Sequence, residues 1–190
     1  NQVFRRLPLP RVVKPAIGGL MVGVIALWFP QIMAGGYGWI QEAIEGRMAL
    51  ALLLVLCFAK IIATSCTISS GGSGGVFAPS LFIGAMLGGA YGTLCDRLFP
   101  GMIAHPEAFV LVGMGGFFAG VARVPLTAML MVCEMSGSYG LLLPLMLVSI
   151  VNVALLSSRW TLYEEQVTAM VDSPAHQGDF VVDVLEQIRV

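Results

Sequence analysis

Two long apolar runs, Met48 to Ile68 and Val76 to Leu94, are joined by seven residues that carry no charge: Ser69-Ser70-Gly71-Gly72-Ser73-Gly74-Gly75. The second run opens as Val76-Phe77-Ala78-Pro79. Each run is close to the roughly 20 apolar residues that a bilayer crossing needs. Irregular backbone at membrane depth is tolerated only where protein buries it or where it lines a cavity. Glycine lets the chain bend where no side chain fits and lets N–H groups face outward. A helix start adds unpaired N–H donors and partial positive charge, which together suit an anion. The stretch therefore reads as an uncharged anion cradle at membrane depth.

Composition supports the membrane setting. The 190 residues are 57% hydrophobic and 11% charged, with a mean hydropathy of +0.88. A soluble domain carries about 25% charged residues. Between Pro15 and Ser158 the charged side chains are Glu42, Glu45, Arg47, Lys60, Asp96, Arg97, Glu107, Arg123 and Glu134. The net charge of −1 provides no bulk field for nucleic acid. Cys57, Cys66, Cys95 and Cys133 have no C-x-x-C spacing, so no metal or disulfide framework is expected. The chain starts at Asn1 without a signal-peptide pattern, and a piece of a longer protein is expected.

The runs along the chain are uneven. Residues 1–14 hold Arg5, Arg6, Arg11 and Lys14 and no acid, which by the positive-inside tendency marks a cytoplasmic loop. Pro15 to Phe29 is apolar, and Gly19-x-x-x-Gly23 offers a ridge for close helix packing. Residues 30–46 predict a turn and a short amphipathic helix. Gly84, Gly88 and Gly92, four apart, put three glycines on one helix face and predict a tight contact. Ala108 to Ala122 is short for a crossing, Arg123-Val124-Pro125 breaks it, and Val124 to Cys133 is another short piece. Ser138 to Ser158 is uncharged and long enough to cross. Broken helices of this kind are how many transporters build substrate sites. From Glu164 onward the acids Glu164, Glu165, Asp172, Asp179, Asp183 and Glu186 face only Arg189, as in a water-exposed tail.

Gly75-Val76-Phe77-Ala78-Pro79 resembles the G-[IV]-F-A-P signature of the CLC family of chloride channels and chloride/proton antiporters. Ser69-Ser70-Gly71 resembles the family's lead-in to it. Gly113-Met114-Gly115 followed by Ala122-Arg123-Val124-Pro125-Leu126-Thr127 resembles another family segment. Glu134-Met135, Leu143-Pro144 and Leu162-Tyr163 follow in the family's order. The resemblance covers nearly all of residues 12–167. It implies an all-α membrane protein with broken and re-entrant helices, part of an inverted-repeat fold. It implies that residues 1–167 are the C-terminal portion of the membrane domain, and that residues 168–190 are a cytoplasmic linker toward a CBS-domain region. It also implies a multi-pass protein of the cell membrane, bacterial by this reading, that passes chloride or a similar small anion and is not an enzyme. The anion would meet Gly75, Val76, Phe77, Ala78, Pro79 and the hydroxyl of Tyr163. No cofactor or metal is expected, chloride being the transported ligand.

The resemblance is incomplete in one respect. The G-S-G-x-P and G-[RK]-E-G-P segments of the family's anion pathway, the latter holding the gating glutamate, do not occur here. They belong to an N-terminal half that this chain would need as a partner. The carboxylates that separate a channel from a proton-coupled exchanger would lie in that half. A homodimer is implied through helices around 124–133 and 139–156, set in a lipid bilayer.

Competing assignments are weaker. Gly71-x-Ser73-x-Gly75 formally matches a serine-nucleophile elbow, which requires a strand before it and a histidine within reach. An intramembrane hydrolase using Ser73 is thus one alternative, and a membrane scaffold that transports nothing is another. Arg123 and Glu134 lie on one helix face but about 16 Å apart along a continuous axis, so each should find a partner elsewhere. Lys60 receives no role beyond snorkelling or pairing.

Overall fold

A computed structural model describes residues 13–72, 74–103 and 105–155. Seven α-helices follow one another among these residues: α1 Val13–Trp28, α2 Tyr37–Ile44, α3 Leu50–Ser69, α4 Phe77–Leu98, α5 Ala108–Ala122, α6 Pro125–Ser136 and α7 Leu142–Leu155. Short 3-10 turns, Pro30–Ile32 and Tyr139–Leu141, precede α2 and α7. The all-α expectation holds for the described residues. Among the described residues, only α3 and α4 are long and apolar enough to cross a bilayer by length and composition. The other apolar helices are of the shorter class that suits buried or re-entrant pieces.

The breaks have local causes. α3 stops in a Schellman motif: Gly71 N–H donates to Ile68 O at 3.1 Å, and Gly72 N–H to Thr67 O at 3.0 Å. Gly71 sits at φ +83, where a Cβ would be strained. Residues 69–72, read from sequence as part of the uncharged cradle stretch, are therefore a capped stop. α5 ends at Arg123, which takes φ +58, and α6 restarts with Pro125 in its first turn. The predicted break at Arg123-Val124-Pro125 is present. The expected crossing from Ser138 is shorter in its described part, because α7 begins only at Leu142 after a 3-10 turn.

α4 is the centre of the packing. Its most extensive contact is with α5, followed by α3. Leu81, Phe82, Ala85 and Met86 of α4 are fully buried. The three-glycine face lies directly on α5. A Cβ on Gly84 would sit 2.6 Å from the Gly113 carbonyl oxygen, and one on Gly88 or Gly92 would strike the carbonyl of Phe109 or Pro106. Gly113 of α5 reciprocates against Gly84 and Gly88. The other predicted ridge behaves differently. Among the described residues nothing lies within 4 Å of a Cβ on Gly19 or Gly23, and it is Gly18 that packs, against Ser70. The described residues thus leave the Gly19/Gly23 face of α1 open.

Glu134 and Arg123 both lie toward helix ends. Glu134 is exposed and accepts a hydrogen bond from the Tyr139 hydroxyl at 2.5 Å. Its partner is five residues away, because α6 ends at Gly137 and the chain turns back. Arg123 is exposed in the break between α5 and α6.

The loop before α5 supplies a pH dependence. His105 Nδ1 lies 2.9 Å from Glu107 Oε1, at the entrance to the helix. The backbone N–H of Glu107 itself, and then the His105 ring, hold its carboxyl below the ordinary value of 4.5. A depressed carboxylate stabilises the fold above its unfolded value and loses that contribution as pH falls through its folded value. The pair is exposed, so the effect is small. Thermal midpoints in detergent should fall slightly between pH 5 and pH 3, and His105→Ala should flatten part of that fall.

Candidate functional site

The first ladder bond of α4 runs from Ser80 N–H to Val76 O at 3.1 Å. Val76 is therefore the N-cap, and the N–H groups of Phe77 and Ala78 stand ahead of the ladder, while Pro79 brings no N–H. No side chain caps this end, and no acid occupies its first turn. The donors and the positive end of the helix dipole are thus not neutralised by the helix itself. Gly74 and Gly75 are exposed, and residues 76–79 are half-buried. The Phe77 ring holds the turn in place by an edge-on contact with Phe118 of α5, centroids 4.9 Å apart.

This helix start borders a cavity of about 520 Å³. Gly74, Gly75, Phe77, Ala78 and Pro79 form one side of it, and Thr64 and Thr67 of α3 add hydroxyls nearby. Thr67 Oγ1 donates back to Ala63 O at 2.9 Å. The third side is the segment Ile32–Gly35. A second cavity, of about 430 Å³, is lined by Glu45, Asp96 and Glu107, whose carboxylates make it a poor place for an anion.

Of the residues singled out from the sequence, Gly75, Phe77, Ala78 and Pro79 come together on the larger cavity, with Val76 as the cap behind them. Tyr163 lies outside the described residues, as does Ser73. The element that ends before Ser73 is the helix α3 and not a strand, so the local geometry is not that of a nucleophile elbow.

Lys60 is the residue that sequence reasoning passed over. It is 3% exposed, and its ammonium donates to Ile32 O at 2.6 Å and to Ala34 O at 2.7 Å. It also lies 5.1 Å above the centre of the Phe82 ring, within cation–π range. A buried charge is retained only when its donors are met, and here backbone carbonyls meet them. A lone cation in the middle of an apolar run was the available signal. Its partners could not be read, because they are main-chain atoms nearly thirty positions away.

Comparison with known proteins bears on the chain as a whole. The family described as voltage gated chloride channel matches residues 1–157. The chain is 36% identical over 139 residues to the H(+)/Cl(-) exchange transporter ClcA of Vibrio campbellii, covering 73% of this chain and 30% of that protein. It is 42% identical over 149 residues to chloride channel protein CLC-f of Arabidopsis thaliana, covering 73% of this chain and 19% of that protein. Among solved structures, a slow cyanobacterial Cl-/H+ antiporter superposes with a TM-score of 0.72 at 30% identity, covering 83% of this chain and 38% of the other. The chain thus spans less than two fifths of the length of each of these relatives.

Proposed function

The chain belongs to the voltage-gated chloride channel family, and we propose that it forms part of the membrane domain of a protein that passes chloride or a similar small anion. The observation that carries the proposal is the break between Ser69 and Phe77. It sets an uncapped, uncharged helix start on a cavity of about 520 Å³. Uncharged N–H donors replace lost hydration without holding the ion too tightly to leave. In this reading Gly75 to Pro79 form one wall of the anion site and the Tyr163 hydroxyl another. The remaining walls come from an N-terminal half of the same protein.

The assembly follows from the same reading. Leu126 and Leu130 of α6 and Leu143, Leu147 and Ile150 of α7 are exposed apolar residues. They give two copies of the protein a face on which to pair, with one pathway in each subunit. In this reading the protein is a multi-pass protein of a bacterial plasma membrane. Residues 168–190 then lead into the cytoplasm toward a CBS-domain region.

Chloride efflux from liposomes holding the complete protein tests the proposal. Wild-type protein should release chloride well above protein-free vesicles. Phe77→Ala and Tyr163→Phe should each change the rate or the preference among chloride, bromide and nitrate. Absence of flux, together with silent substitutions, would sink the proposal and favour a scaffold that transports nothing.

A further inference from the structure

We propose that Lys60 is a positioning residue that latches the Met33–Gly36 turn as a wall of the anion cavity, acting through that turn rather than on the ion. The inference rests on the transport reading above and goes beyond it by assigning a buried group that reading leaves unused. Three contacts converge on one short segment, and a fourth joins the two side chains that make them. The Ile32 and Ala34 carbonyls both point at the Lys60 ammonium, at 2.6 and 2.7 Å. Ala34 is held at φ +51, one of only two non-glycine residues with positive φ among the described residues. Gly36, at φ +70, lies so close to Phe82 that a Cβ there would fall 2.5 Å from the ring. The same ring faces the Lys60 ammonium. The turn is thus clamped between α3 and α4, and Ile32, Met33, Ala34 and Gly35 line the same cavity as Gly74, Gly75, Phe77, Ala78 and Pro79.

The chemistry explains why a lysine serves. An ammonium has three N–H donors and a compact charge, so one group can take two carbonyls and still face a ring. Bonds from a charged donor are about twice as strong as neutral ones. They hold Ala34 in a left-handed conformation that a residue with a Cβ otherwise avoids. With two of three donors committed to backbone, Lys60 adds shape to the wall while the helix start supplies the contact with the ion.

Two measurements on the complete protein test this. Hydrogen exchange of the segment 30–36 reports the latch whether or not any ion moves, and chloride efflux with the bromide-to-chloride ratio reports its consequence. Lys60→Met should speed exchange in the segment at least tenfold, lower chloride flux about tenfold and shift the bromide-to-chloride ratio. Lys60→Arg, which keeps charged donors, should restore all three toward wild type. Adding Ala34→Gly to Lys60→Met relieves the left-handed strain and should recover about fivefold of the exchange protection. If Lys60→Met does not accumulate, Lys60→Gln gives the same comparison with a weaker donor. Unchanged exchange in Lys60→Met or Lys60→Gln would overturn the latch, even if flux fell, since the lysine would then act by charge alone. Failure of Ala34→Gly to restore any protection would also overturn it. Wild-type vesicles that pass no chloride would end the transport reading, and the exchange result would then decide the latch by itself.

Discussion

Gly88→Ala is expected to lower the stability of this fold by about 3 kcal/mol, near the upper end of what overpacking a filled core usually costs. The new Cβ would land on the Phe109 carbonyl and close to the Gly113 Cα. Both are backbone atoms of α5, so no side chain can rotate away, and the two helices must separate. That separation would strip contacts from Leu81, Ala85 and Met86, which are completely buried. The comparison that gives the number meaning is Gly23→Ala. No described residue lies within 4 Å of that position, so alanine should stabilise α1 by up to about 1 kcal/mol through helix propensity. Denaturation of both variants in one detergent measures the difference. Equal midpoints for the two would refute the claim that α4 and α5 meet backbone to backbone.

The two glycine ridges show what a sequence can and cannot carry. Spacing of four made both Gly19/Gly23 and Gly84/Gly88/Gly92 visible as faces. It could not say which face meets a neighbour within this chain, because that depends on the partner helix. α5 offers Gly113 and so admits close approach, whereas nothing described here lies against Gly19 or Gly23. Helix breaks were legible for a different reason. Gly71 and Pro125 act on their own backbone, so their effect does not wait for tertiary structure. The same locality made the Phe77 helix start legible. Lys60 was not, since its meaning lies in carbonyls of another segment. Glu134 was expected to find a partner other than Arg123, but which one was not legible, because it is Gly137 that turns the chain and brings Tyr139 to it.

Exchanging the Phe77 amide for an ester, by incorporating the α-hydroxy acid, is the most direct trial of the anion site. The substitution removes one N–H and keeps the ring, so the contact with Phe118 survives. Phe77 is the first residue of α4, ahead of the Ser80–Val76 bond, so the lost donor serves no ladder bond within the helix. Stability should therefore change little. A hydrogen bond to a charged acceptor contributes about 1.5–3 kcal/mol, so chloride affinity should fall roughly ten- to a hundredfold. The control is the same exchange at Leu81, one turn further into α4, where the N–H belongs to the ladder. There about 1 kcal/mol of stability should be lost with chloride affinity intact. Calorimetric titration of the complete protein with chloride reads the affinities, and detergent unfolding reads the stabilities. The two esters should thus show opposite patterns. If the Phe77 ester binds chloride as the wild type does, the helix start is not the anion's donor, and the cavity beside it must be used in some other way.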